Sequence, residues 1–395
     1  MRKIKELLPP GKNLLVLLSA AVFIEMGEKM GERFLPLYIM ALGGGGLAVA
    51  FLNAADNFLG AVYSFPGGYL SDRIGYKSSL ILFNIAAITG YLVVILFPSW
   101  QAALIGAVLF ISWSSVSLPA VMSAISKVLP FHKRTLGVSM HSIARRIPMA
   151  IGPVLGGLCV QRWGEQAGVR VAFSFALVLA VMALLLQHYF LEHIAEPPPE
   201  KMHKNPFKVL ALTGPKLRHL LVSDILIRFC EQIPYAFVVI WCIKRVGATP
   251  VEFGLLTALE MCSAILIYIP VAWLVEKNKT KKPYIAITFA FFSAFPLVLM
   301  FSDSLAMLVF AFIIRGLKEF GEPARKALIL DLAPEANKAL TYGAYYFFRD
   351  TVVAVAALAG GFLWLVSPQL NFICAFACGL AGTAYFLAYC EEGEG

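Results

Sequence analysis

Apolar positions along this chain neither keep to one helical face nor alternate. They run in long blocks of about twenty residues, separated by short polar stretches. The blocks lie at 14–42, 47–70, 79–97, 101–126, 136–160, 171–191, 219–243, 253–275, 284–301, 305–330, 339–366 and 371–390. A helix of about 20 residues rises about 30 Å, the thickness of a bilayer's hydrocarbon core. Without the alternation of a β-barrel, helices alone satisfy the backbone in lipid. The pattern therefore predicts an all-α integral membrane protein with twelve transmembrane helices.

Composition agrees: 59% of residues are apolar, 14% are charged, and the mean hydropathy is +0.76. Soluble domains carry about 25% charge. The net charge of +9 would suit nucleic acid, but its placement argues against that partner. With the N-terminus in the cytoplasm, 21 Lys and Arg fall in cytoplasmic segments, among them Arg2, Lys3, Arg73, Lys77, Lys133, Arg134, Lys277 and Arg325. The other side receives Arg162, Arg170, Lys244 and Arg245. That bias predicts a multi-pass protein of the cell (inner) membrane with both termini cytoplasmic. The basic start and the apolar run from Leu14 to Ile24 look like a cleaved leader. They are read instead as a first span, because the second half has a counterpart. The seven cysteines sit in or at the ends of spans without a CxxC, as packing residues, so no metal site or cofactor is expected.

The chain repeats itself at an offset of 204 residues. Asp56 aligns with Glu260, Pro66 with Pro270, Asp72 with Glu276, Pro119 with Pro323, Arg145 with Arg349, and Gly156-Gly157 with Gly360-Gly361. Two six-helix bundles follow, at 1–191 and 218–395, joined by a cytoplasmic linker at 192–217. Same-direction repeats predict a two-fold axis along the membrane normal and a solute site near mid-bilayer.

Between spans two and three stands Gly68-Tyr-Leu-Ser-Asp72-Arg73-Ile-Gly75-Tyr-Lys77. It resembles the loop signature of the major facilitator superfamily (MFS), and the likeness extends over the chain through the 6+6 repeat and the long central loop. Gly68, Asp72, Arg73, Gly75 and Lys77 match; the second copy, Ala272-Trp-Leu-Val-Glu276-Lys277, is degenerate after the acid. The resemblance implies a cytoplasmic gate that braces helix ends in one conformational state. Span five carries Gly152-Pro153-Val-Leu-Gly156-Gly157, similar to the motif associated with exporters. Span ten holds Arg315-Gly316 and Gly321, similar to a family motif usually found in span four, where this chain has serines and no Arg.

The candidate chemistry is intramembrane charge. Glu25, Glu28, Lys29, Glu32, Arg33, Asp56, Arg145, Asp224, Arg228, Glu231, Glu260, Arg315, Lys318, Glu319, Glu322 and Arg349 all fall within spans. Each would cost about 2.5–3.5 kcal/mol or more facing lipid at mid-membrane. They must pair with one another or line a wet cavity. Spans three, six, nine and twelve, peripheral in the resembled fold, hold none of them. By helical periodicity Asp224, Arg228 and Glu231 share one face of span seven, and Tyr345 shares a face of span eleven with Arg349. These residues form the expected solute and proton cavity. Pairs at i,i+4, Glu25–Lys29 and Asp224–Arg228, are equally read as permanent bridges.

No GxxxxGK[ST], HExxH or GxSxG occurs, so neither an ATP-driven pump nor an intramembrane hydrolase is expected, and the chain is read as no enzyme. A channel would not need a braced loop between two rocking halves. A receptor would need an element outside the bilayer, yet no loop exceeds about 26 residues. The reading is a monomeric, proton-coupled secondary transporter, with export favoured. Cations and anions in near balance suit a small charged or zwitterionic solute. Glu28-Lys-Met-Gly-Glu32-Arg33-Phe34 also resembles the span-one signature of proton-coupled peptide transporters, with one more residue between the acids. Peptide-type uptake, and an uncoupled facilitator or channel, are the alternatives.

Overall fold

The computed structural model describes residues 12–111, 113, 134–191, 214–278, 280–333 and 338–391. Among them every regular element is helical. In chain order these are α1 (Lys12–Glu32), α2 (Leu35–Ala41), α3 (Gly45–Ile74), α4 (Tyr76–Leu96), α5 (Trp100–Ile111), α6 (Arg134–Phe190), α7 (Pro215–Gln232), α8 (Pro250–Asn278), α9 (Lys282–Met300), α10 (Leu305–Leu317), α11 (Glu322–Asp331), α12 (Lys338–Val366) and α13 (Pro368–Tyr389). Eight helical segments among the described residues are long and apolar enough to cross a membrane. Expected spans five and six fall together in one of these: α6 comprises two helices that meet at Gly164, whose φ of 81° and ψ of 172° are non-helical. The chain turns back there, since a Cβ on Gly168 would stand 2.5 Å from the Cys159 oxygen. The expected spans outside the eight have local reasons. Span one carries Glu25, Glu28, Lys29 and Glu32, expected span four lies partly outside the described residues, and span ten is broken between α10 and α11. Large apolar side chains such as Leu155, Leu266, Phe310, Phe362 and Val366 stand exposed, as lipid-facing positions require.

Contacts divide the chain into two compact units: Met1–Gly43 with Val62–Lys201, and Gly44–Ala61 with Met202–Gly395. The first half of α3 thus belongs with the second unit. The expected linker at 192–217 lies mostly outside the described residues, which resume at 214.

In the first unit α1 lies along α6, and α4 also packs against α6. Glycine allows the closest approach: a Cβ built on Gly156 would stand 2.0 Å from the Met30 carbonyl oxygen, and one on Gly152 would stand 2.7 Å from Lys29 Cβ. The exporter-like glycines therefore serve helix packing here. In the second unit the repeat partner does the same, since a Cβ on Gly360 would meet the Ile233 carbonyl at 2.2 Å. Gly156→Ala is expected to lower stability by about 1–3 kcal/mol through overpacking. Gly343→Ala in α12, where an added Cβ would meet no described atom within 4 Å, should be neutral or slightly stabilising. Thermal unfolding of the two variants in one detergent checks this; equal melting points would discount the crossing.

Span seven is interrupted where Pro234 cannot donate an N–H and its ring cannot continue α7. A short 3-10 turn (Tyr235–Phe237), a turn of α-helix (Val238–Ile240) and a π turn (Trp241–Arg245) follow. Phe237 N–H bonds the Pro234 carbonyl, leaving the Ile233 carbonyl without its helical partner. Two asparagines from different helices satisfy the break. Asn371 Nδ2 of α13 donates to the Ile233 oxygen (3.2 Å) and Asn53 Nδ2 of α3 to the Gln232 oxygen (3.0 Å). Asn371 also donates to the Gly360 oxygen (2.7 Å), holding α7, α12 and α13 together at one point.

Candidate functional site

Most of the predicted charges are paired, in three groups. In the first unit Lys29 bonds Glu28 (3.2 Å) and Glu32, and Arg145 Nε reaches Glu25 at 2.8 Å. Arg33 follows on the same segment, half-buried. Glu25 therefore pairs with α6, in place of the i,i+4 bridge to Lys29 that spacing suggested.

The second unit holds two groups. In one, Arg325 sits at 2% exposure, although its position at the end of span ten suggested a cytoplasmic charge. Its guanidinium grips Glu322 with two bonds (2.9 and 2.7 Å) and also bonds both oxygens of Asp224. Asp224 further accepts from Tyr345 OH (3.1 Å) and Arg349 Nη1 (3.4 Å). Asp224 thus takes Arg325 and Arg349, from elements distant in sequence, in place of the expected Arg228. In the other group Arg228 bonds Glu231, Lys318 bonds Glu231 (2.8 Å) and approaches Glu260 (3.4 Å), and Arg315 approaches Glu260 at 3.3 Å. Rings of Tyr235, Phe295 and Phe312 enclose the Arg315 guanidinium at 5.1–5.7 Å. The space beside it is about 10 Å³, barely one water.

The break between α10 and α11 positions these groups. Gly321 precedes Glu322, and a Cβ there would overlap the Tyr284 oxygen at 2.2 Å. Gly321 N–H bonds Thr288 Oγ1 of α9. α11 then starts with Glu322 and Pro323 in its first turn, an acid where the helix dipole favours one.

A cavity of about 210 Å³ opens within the second unit. Asp56, Asn57, Gly60, Arg228, Gln232, Arg349, Asp350 and Val353 border it. Of the predicted residues it brings together Asp56, Arg228 and Arg349. Asp224 partners Arg349 and is itself held by Tyr345 and, through Arg325, linked to Glu322, while Glu231 partners Arg228 and is held by Lys318. Glu260 and Arg315 are enclosed apart from it, and half-buried Glu319 does not border it. Arg349 lies over the Tyr346 ring at 4.2 Å and bonds Asp350 (2.7 Å) through Nε. Sequence reasoning passed over Asn57 and Gln232, because it searched for charge. The available signal was an amide inside an apolar run, beside Asp56 in one case and two residues before Pro234 in the other.

Of the gate signature, Gly68 and the side chains of Asp72 and Arg73 lie outside what the structure describes, as do the side chains of Glu276 and Lys277 in its second copy. Gly75 adopts φ 84° just before α4, a conformation that favours glycine. Lys77 Nζ donates to the His188 carbonyl at 2.9 Å, in the last turn of α6.

A helical chain with paired intramembrane charge around a polar cavity has the makings of a carrier, and comparison with known proteins places it. The family model described as Major Facilitator Superfamily matches residues 17–243 and 220–392. The chain belongs to that superfamily; it is a multi-pass membrane transporter and not an enzyme. It is 22% identical over 375 residues to the uncharacterized MFS-type transporter MJ1317 of Methanocaldococcus jannaschii, covering 92% of this chain and 91% of that protein. Its fold is similar to that of a POT family transporter in complex with 5-aminolevulinic acid (TM-score 0.76, 14% identity, 95% and 94% of the two chains). It is also similar to a mutant of the nucleoside transporter NupG (TM-score 0.78, 12% identity, 96% and 100%).

Proposed function

We propose that this chain is a proton-coupled secondary transporter of a small charged or zwitterionic organic solute, working by alternating access, and that the cavity beside Arg228 and Arg349 is its solute site. One observation carries the reading: two guanidiniums and two carboxylates, Asp56 and Asp350, border one cavity of about 210 Å³. The arginines suit a carboxylate or phosphate and the acids an ammonium group. The volume lies below the roughly 300–1,000 Å³ of drug-sized sites, which favours a compact solute. Export rests on the likeness of Gly152-Pro153-Val-Leu-Gly156-Gly157 to the exporter-associated motif alone, since the glycines also serve packing. Peptide-type uptake is the second reading, supported by the Glu28–Phe34 sequence. The bias of Lys and Arg among the loops supports cytoplasmic termini and a cell (inner) membrane location.

Asp56 is the coupling acid in this reading, since it borders the cavity while its repeat partner Glu260 faces Arg315 and Lys318. A carboxylate whose hydration changes as a cavity opens and closes also changes its proton affinity. A thermal-shift screen of purified protein against charged metabolites, peptides and drugs identifies the solute. Proteoliposomes then test coupling. Asp56→Asn is expected to abolish accumulation driven by a pH gradient yet retain solute exchange across the bilayer. Accumulation with wild-type pH dependence in Asp56→Asn would place the proton elsewhere, with Glu25, Glu28 and Glu32 next to examine.

A further inference from the structure

The hydrogen bonds around the break in span seven fix the orientation of an amide that no charge-based reading would select. Asn57 Nδ2 lies 2.8 Å from the Asn53 carbonyl oxygen. A backbone carbonyl only accepts, so the Asn57 atom there is the nitrogen. That same nitrogen lies 3.2 Å from the Gln232 side chain, which must offer its oxygen in return. Gln232 therefore keeps its NH2 group for whatever enters the cavity that it borders together with Asn57, Arg228 and Arg349. Its backbone is held as firmly: the Gln232 carbonyl accepts from Asn53, and Pro234 ends the helix two residues on.

We infer that Gln232 is a specificity-determining residue, an oriented donor that selects solutes bearing an oxygen acceptor, a carboxylate above all, beside the two arginines. The inference rests on the cavity being the solute site. Arg228 and Arg349 supply charge, but each already has a carboxylate partner, Glu231 for the first and Asp224 with Asp350 for the second. The Gln232 amide has no such partner among the described residues. A donor aimed in advance discriminates strongly, because a solute without the matching acceptor leaves it buried and unbonded.

The test uses the full-length protein in lipid nanodiscs and two probes, 5-aminolevulinate and its methyl ester. They share the ammonium end and differ in the carboxylate. Wild type is expected to bind the acid about tenfold or more tighter than the ester, the scale of one or two bonds to a charged group. Gln232→Glu keeps an oxygen for Asn57 and replaces the donor by a like charge. It should remove that preference by weakening the acid about tenfold or more, with the ester unchanged or tighter. Gln232→Leu, which adds no charge, should weaken the acid alone; it decides the matter if the Glu variant does not fold. Asn57→Leu, freeing the amide to turn, should erode the preference by a few-fold. If Arg349→Lys weakens acid binding while both Gln232 variants keep the wild-type preference, the role of Gln232 is overturned and the solute site stands. If wild type binds neither probe, or prefers the ester, the inference falls. If Arg349→Lys also leaves acid binding unchanged, the site reading falls with it.

Discussion

Asp224→Asn is expected to cost the protein about 3–5 kcal/mol, the largest stability loss of any conservative single change in the second unit. Asp224 is 1% exposed and neutralises two guanidiniums, those of Arg325 and Arg349. Removing its charge leaves Arg325, itself 2% exposed, with Glu322 alone. An unbalanced buried charge costs far more than a pair removed whole. Asp224→Asn with Arg325→Gln should therefore recover a large part of the loss, leaving Glu322 to Lys326 at 3.4 Å. A double-mutant cycle on unfolding in one detergent measures the coupling. Additive losses would mean that the contact contributes little.

Arg349→Lys and Arg228→Lys are each expected to weaken solute binding about tenfold or more, whereas Arg315→Lys should leave it within a few-fold. All three changes keep the charge, so the contrast reports on geometry. Arg349 and Arg228 border the cavity, and a planar fork can bond its protein carboxylates, Asp350 and Asp224 for the first and Glu231 for the second, and keep part of a second edge for a solute oxygen. An ammonium lacks that second edge in a fixed position. Arg315 is closed in by three rings and faces Glu260, where no solute fits. Its loss should appear as lower thermal stability. Equal effects on binding at all three positions would dissolve the division between cavity wall and packing.

The helices were legible because lipid imposes a length and an apolar surface on each span, and both are written in consecutive residues. The repeat was legible for a similar reason. Gly156 and Gly360 each lie under a carbonyl of the first helix of their own half, a demand that only glycine meets. Partnership among the charges was not legible. Spacing along one helix offered Asp224–Arg228 and Glu25–Lys29. The folded chain joins Asp224 to Arg325 across 101 residues and Glu25 to Arg145 across helices. Tertiary proximity outweighs i,i+4 spacing once both groups are removed from water, where an ion pair is strongest. The broken span ten had its signals in Gly316, Gly321 and Pro323, but an apolar block alone cannot separate a continuous helix from two halves. Asn57 and Gln232 escaped because an uncharged amide becomes notable only when its neighbours are known.

The two glycine crossings have a mechanical consequence. Backbone carbonyls at Met30 and Ile233 lie where a side chain would otherwise stand, so α1 cannot slide along α6, nor α7 along α12, without collision. Each pair behaves as a riveted plate, stiff in translation and free at most to pivot about its rivet. Whatever strain a transport cycle imposes must then collect in the pieces that are not riveted: the π turn after Ile240, the turn at Gly164 between the two helices of α6 and the gap between Leu317 and Glu322. Those three places should exchange their amide hydrogens fastest in the membrane-embedded chain, and a proline or a cross-link there should stall the cycle without touching a single charged residue.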